Sequence, residues 1–196
     1  MSSETINTRE KILLAAIQLL EEKGGRGVRM ADIATETGIS RQAVYLHYAN
    51  RTELLIAATL YKGELLDVEA RLAPSRAAAN GEERLERYIA FWGDYIPEFH
   101  SVARALMLAM DTDDAAAEAW QDRMSAMKDG CRAAIDALHA DGRLAAEWNR
   151  KTATDALWAM LLVPGWEALT RECGWSRKDY IRRLQLIARK VFVAGP

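Results

Sequence analysis

Gly38, placed between Met30-Ala31-Asp32-Ile33-Ala34-Thr35-Glu36-Thr37 and Ile39-Ser40-Arg41-Gln42-Ala43-Val44-Tyr45, constrains the fold of this chain more than any other feature. Met30, Ile33 and Ala34 recur at helical spacing and mark a short helix. That helix must stop at the glycine, where left-handed backbone costs little. Ser40 then caps a second short helix. Ala34 is small enough for the two helices to approach, and Ile39 with Val44 completes the wedge between them. This is the grammar of a helix-turn-helix, and it projects the outer face of the second helix as a rod that fits a groove about 12 Å wide.

The motif runs from Arg29 to Tyr48, and its polar residues divide by chemistry. Arg41 and Gln42, at the N-terminal end of the second helix, suit the edges of guanine and adenine through paired hydrogen bonds. Ser40, Tyr45, His47 and Arg51 offer donors better placed for phosphates, which fix register without specifying sequence. Arg29 is a further candidate for backbone or groove contact, and Ala43 and Tyr48 complete the expected DNA-facing set. The net charge of −2 conceals a local balance of +3 between Lys23 and Arg51, where five basic residues face Asp32 and Glu36, leaving −5 for the rest. A basic head on an acidic body brings one face to phosphate and holds the other away.

Thr8-Arg9-Glu10-Lys11-Ile12-Leu13 with Ala15-Ala16, Asp32-Ile33-Ala34, Gly38-Ile39-Ser40, Val44-Tyr45-Leu46-His47-Tyr48 and Arg51-Thr52-Glu53-Leu54-Leu55 follow one another in an order and spacing that resembles the N-terminal domain of the TetR (tetracycline-repressor-like) family. By that resemblance Ser40, Tyr45 and His47 fall on phosphate-touching positions, and Arg51 stands where a lysine is usual. The family often caps its second helix with Ser or Thr, whereas this chain has Val28 and Arg29 there. For the remainder the resemblance implies a general plan of ligand pocket plus dimer helices.

Elsewhere the periodicity is helical, with no alternating strand pattern. The expected fold is therefore all-α: a three-helix DNA-binding domain over 5–54 and a helical ligand-binding and dimerisation domain over 55–196, about nine helices together. Asn7 with Glu10 and Asn50 with Glu53 are capping pairs. The second of these opens a helix expected to run to about Leu72. Further helices are expected near Glu82–Phe99, Val102–Met110, Ala115–Ala140, Thr152–Cys173 and Arg177–Val193, with Asn80, Thr152 and Ser176 at cap positions. Pro97 and Pro164-Gly165 should kink the helices that contain them.

The six tryptophans all lie outside the head. Trp92, Tyr95, Phe99, Met107, Met110, Trp120 and Trp158 are the candidates for an apolar ligand cavity, though such stripes are more often plain core. The last two expected helices are apolar on more than one face. Leu161, Trp166, Leu169, Tyr180, Leu184, Ile187 and Val191 are the candidates for a four-helix interface with a second copy.

The polar N-terminus from Met1 to Thr8 lacks the apolar core of a signal peptide, so a cytoplasmic location is expected. No apolar run approaches the roughly 18 residues that a membrane span needs. Cys131 and Cys173 have no zinc spacing, no carboxylate or cysteine stands at metal-ligand spacing from His100 or His139 in the sequence, and Asp111, Asp113 and Asp114 read as a solvated loop and helix start. No cofactor, metal site or catalytic group is expected. Together these features predict a homodimeric repressor on a palindromic operator, released by a small apolar or aromatic effector. A helical enzyme or carrier would need a poised acid, base or nucleophile beside the aromatic residues. A regulator controlled by a protein partner or by abundance would need no pocket.

Overall fold

A computed structural model describes residues 7–195; the expected domain start at residue 5 and most of the polar N-terminal segment lie outside them. Ten α-helices follow in order: α1 Thr8–Glu22, α2 Met30–Thr37, α3 Arg41–His47, α4 Arg51–Leu65, α5 Val68–Arg76, α6 Gly81–Met110, α7 Asp114–Ala140, α8 Arg150–Met160, α9 Val163–Glu167 and α10 Arg177–Phe192. A π-helical turn, Ala168–Glu172, continues α9. Among the described residues the only β pairing is an isolated antiparallel bridge between Leu144 and Val193.

The helix starts follow the local chemistry. Side-chain oxygens of Asn7, Ser40, Asn50 and Ser176 accept from amides three residues on and cap α1, α3, α4 and α10, each satisfying a donor that a first turn leaves open. Asn80 does the same for the Glu83 amide at 2.9 Å.

Four boundaries differ from expectation. The helix begun at Arg51 stops at Leu65 instead of Leu72, because Asp67 adopts a left-handed backbone (φ 46°) and its carboxylate caps a new helix at the Ala70 amide. α5 then runs past Pro74. The two helices expected over 82–110 are one, α6, with Pro97 inside it; Ile96, Phe99, Val102, Ala103 and Leu106 are all buried, and this continuous apolar face outweighs the lost proline bond. The helix expected at Thr152 begins earlier, with Asn149 accepting from the Thr152 amide at 2.9 Å. It breaks after Met160, because Pro164 has no N–H for the preceding turn but fits the first turn of α9, where none is needed.

The chain forms two compact units. The first comprises the chain up to Leu66 together with Phe99–Asp122, and the second comprises Asp67–Glu98 together with Arg123 onward. A cut at 54 would divide α4. In the first unit α1 packs on α2 and α4, and α2 on α3. Its core holds Ile12, Ala16, Leu20, Ile33, Val44, Tyr48, Leu54 and Leu55. Gly25 (φ 79°) sits where a Cβ would stand 2.6 Å from the Ser101 carbonyl oxygen, so any side chain there would collide with α6. In the second unit Leu85, Ile89, Ile135, Leu138, Leu157, Tyr180 and Phe192 are buried. α10 crosses α6 at Gly93, where any side chain would meet Ile181.

Candidate nucleic-acid interface

The turn that positions α3 is built as its residues require. Gly38 takes φ 69°, its amide reaches back to Ala34 and Thr35, and the Ile39 amide bonds the Ala34 carbonyl at 3.1 Å. The chain is thereby reversed tightly enough for Ser40 to start α3, its hydroxyl accepting from Ala43 at 3.1 Å. Ile33, Ala34 and Val44 are buried beneath. Burial of Val44 fixes the rotation of α3: at about 100° per residue, Gln42 and Leu46 stand opposite it, Arg41 and Tyr45 on one flank, Ala43 on the other. Arg41, Gln42 and Leu46 are exposed, and Ala43 and His47 half-buried.

The flank is pre-arranged. Arg41 lies over the Tyr45 ring at 5.4 Å and donates to its hydroxyl at 3.3 Å. Both residues remain exposed.

At the start of α2 no hydroxyl caps the helix. Asp32 substitutes from the third position, accepting from the Arg29 amide at 3.1 Å, from the Arg29 guanidinium at 3.0 Å and from Lys23 at 3.2 Å. The Arg29 side-chain bond, then its amide, holds the Asp32 carboxyl down at about 2. Arg29 therefore has an intramolecular partner, although its side chain is 79% exposed. Arg51 donates through Nε to the Val28 carbonyl at 2.9 Å and ties the start of α4 to the loop before α2.

Tyr48 needs correcting. It was expected on the DNA-facing surface, but it is wholly buried; its hydroxyl accepts from Arg9 at 3.3 Å, and the Arg9 guanidinium lies 5.2 Å from its ring centre. Tyr48 supports the surface from below, and burial raises its hydroxyl pKa. Two residues were missed. Arg9, exposed on α1, is joined to Tyr48 only by the fold. Leu46 carried a readable signal, since it lies one turn beyond Gln42.

The second unit contains an aromatic cluster on α6. Phe91 and Tyr95 stack at 5.3 Å, and Trp92 meets Phe91, Tyr95 and Tyr88 edge-on at 5.1, 5.5 and 6.2 Å. Tyr88 donates to the Met127 carbonyl at 2.7 Å. Arg71 lies over Tyr95 at 5.7 Å and Lys128 over Trp158 at 5.1 Å, so cations already occupy ring faces here. Burial pushes the Tyr95 hydroxyl up to about 12 and lowers the Arg123 pKa. Of the predicted ligand set, Trp92 and Tyr95 are brought together, and Trp158 belongs to the same unit. Phe99, Met107, Met110 and Trp120 belong to the first unit.

The expected dimer set also needs correcting. Leu161, Trp166, Tyr180 and Leu184 are buried within the chain itself, whereas Ile187 is 40% exposed and its neighbour Leu186 52%. The multi-faced apolarity of these helices is used mainly by their own unit. No group of three or more His, Cys, Asp or Glu side chains suited to a metal ion occurs among the described residues. Nor is any helix among them long and apolar enough to cross a membrane.

Two short helices joined by a glycine turn, the second presenting polar groups outward on a buried wedge, define a helix-turn-helix domain. Residues 12–58 match the family model described as bacterial regulatory proteins, tetR family. It is 30% identical over 123 residues to the HTH-type transcriptional regulator CymR of Pseudomonas putida, covering 61% of this chain and 59% of CymR. It is 29% identical over 90 residues to the transposon Tn10 TetC protein of Escherichia coli, covering 46% and 45%. The chain thus spans about half the length of these curated relatives. The fold is shared along nearly the whole length with a transcriptional regulator from Saccharomonospora viridis solved in complex with choline: TM-score 0.82, 20% identity, 95% of this chain and 98% of that one. A TetR-family structure from Rhodococcus sp. gives TM-score 0.69 at 22% identity, with 93% and 97% covered.

Proposed function

We propose that this chain is a ligand-responsive transcription regulator that binds operator DNA through α3. The observation that carries the reading is the face of α3 opposite Val44: it is exposed and set by the hydrogen-bonded turn at Gly38, and its flank carries the paired Arg41 and Tyr45. Arg41 and Gln42 meet base edges; Ser40, Tyr45 and His47 hold phosphates, with Arg29 and Arg51 beside them, and Ala43 lets the helix approach closely. The active species is a homodimer whose two α3 helices enter successive major grooves about 34–36 Å apart on a palindromic site. The exposed Leu186 and Ile187 on α10 are the residues assigned here to the contact with the second copy.

Ligand control acts by favouring a conformation whose spacing no longer fits the site, which makes the protein a repressor. A small effector with apolar or aromatic-compatible character is supported by the Tyr88–Phe91–Trp92–Tyr95 cluster, and by the choline held by a protein of the same fold. A cation on an aromatic face is a recognised mode of binding quaternary ammonium groups. The test is selection of duplexes from a random pool with the full chain, followed by binding at several salt concentrations. A selected palindrome with a steep salt dependence supports the reading; equal affinity for every duplex overturns it.

A further inference from the structure

Leu46 is the outlier of the surface. It is 87% exposed, against 54% for Leu60, 52% for Leu108 and Leu186, and 51% for Leu65. Single exposed apolar residues are ordinary; the position of this one is not. With Val44 fully buried, Leu46 and Gln42 each lie roughly 160° around the α3 axis from it and form the outermost ridge of the helix. Arg41 and Tyr45 are turned towards each other on the flank. Whatever α3 enters is met first by Gln42 and Leu46.

We propose that Leu46 is a specificity-determining residue that packs on the C5-methyl group of a thymine in the major groove, one to two base pairs from the base met by Gln42. The spacing follows from one helical turn, about 5.4 Å, against a base-pair rise of about 3.4 Å. A branched aliphatic side chain has no hydrogen bond to offer, and the thymine methyl is the apolar group on the major-groove edge of the four bases. Desolvating leucine against that methyl rewards T·A pairs; against cytosine or adenine the same side chain covers a polar amine without satisfying it. The inference rests on the DNA-binding reading above.

The test uses the full-length chain and duplexes selected from a random pool. Each thymine of the selected site is replaced singly by deoxyuridine, which removes only the methyl. Affinities are then measured for the wild type and for Leu46→Ala, whose exposed position leaves folding intact, as a melting curve verifies. At one thymine in each half-site, deoxyuridine should weaken the wild type about fourfold. Leu46→Ala should be weaker on the parent site and show no further loss at that position. A wild type indifferent to every deoxyuridine, or a Leu46→Ala protein that keeps the full fourfold response, overturns the proposal while leaving the DNA-binding reading intact. Failure to select any sequence overturns both.

Discussion

The Thr52 hydroxyl, in the first turn of α4, donates to the Asp113 carboxylate in the turn between α6 and α7 at 2.5 Å. Asp113 also accepts from the Ala115 and Ala116 amides at 3.1 and 3.2 Å, so one carboxylate caps α7 and anchors the helix that follows the recognition helix. The Thr52 bond, then the Ala116 amide, holds its pKa below the usual carboxylate range. A folded-state pKa that is depressed contributes stability above the unfolded value and loses it as pH falls through the folded one. Asp113→Asn should therefore lower the melting temperature at neutral pH, and the difference from wild type should shrink below about pH 4. An undiminished difference at low pH would remove the carboxylate from the explanation.

The two loop glycines after α1 should separate backbone strain from contact. Gly27 has φ 67° with open space around it, so Gly27→Ala carries only the left-handed penalty, about 1 kcal/mol. Gly25→Ala adds a clash with the Ser101 carbonyl, 2.6 Å from the new Cβ, and should cost at least about 1 kcal/mol more in urea denaturation.

Tyr48 tests the division between surface and support. Tyr48→Phe removes the bond to Arg9 but keeps the packing, so stability should fall by about 1 kcal/mol with the selected DNA sequence unchanged. Tyr48→Ala empties a fully buried site and should cost about 3–5 kcal/mol. A changed sequence preference in Tyr48→Phe would return this residue to the interface.

Ser40→Ala removes the cap of α3 and should cost about 1 kcal/mol. The loss in DNA affinity should exceed any loss at other caps such as Ser176→Ala, since only α3 carries the outer ridge. Gel-shift titration of the two variants on one selected duplex decides this.

The two thiols should differ in reactivity. Cys131 is buried and its pKa is pushed up to about 12, chiefly by that burial, whereas Cys173 is exposed. Iodoacetamide on the native protein at neutral pH should modify Cys173 alone, and Cys131 should react only on unfolding. Mass spectrometry of the labelled peptides reads this directly.

The legible parts of the molecule were those whose cause lies within a few residues. The caps at Asn7, Ser40, Asn50 and Ser176 and the stop at Gly38 each depend on neighbours in the chain. The outer face of α3 was half legible: Arg41 and Gln42 carried recognisable hydrogen-bonding chemistry, while Leu46, readable by its place one turn beyond Gln42, has no polar group to mark it. Burial of Tyr48 against Arg9, 39 residues away, and the link from Thr52 to Asp113, 61 residues away, are set by packing, to which local pattern is blind. The multi-faced helices suggested a partner copy because periodicity records how many sides are apolar, not which molecule covers them. In the structure Leu161, Trp166, Tyr180 and Leu184 are covered by their own chain.

The turn Ala168–Glu172 has a consequence for how the chain length can change. Its amide bonding skips an extra residue, the Cys173 amide reaching the Ala168 carbonyl at 2.9 Å, so one residue is stored there as a bulge. Removing a single residue from this stretch would tighten it into ordinary helix and leave α10 in phase with its neighbours, whereas the same deletion inside α10 would rotate Tyr180, Leu184 and Ala188 off their buried face by about 100°. The bulge is a slack loop in an otherwise taut thread, and homologous chains of slightly different length should differ first at this point.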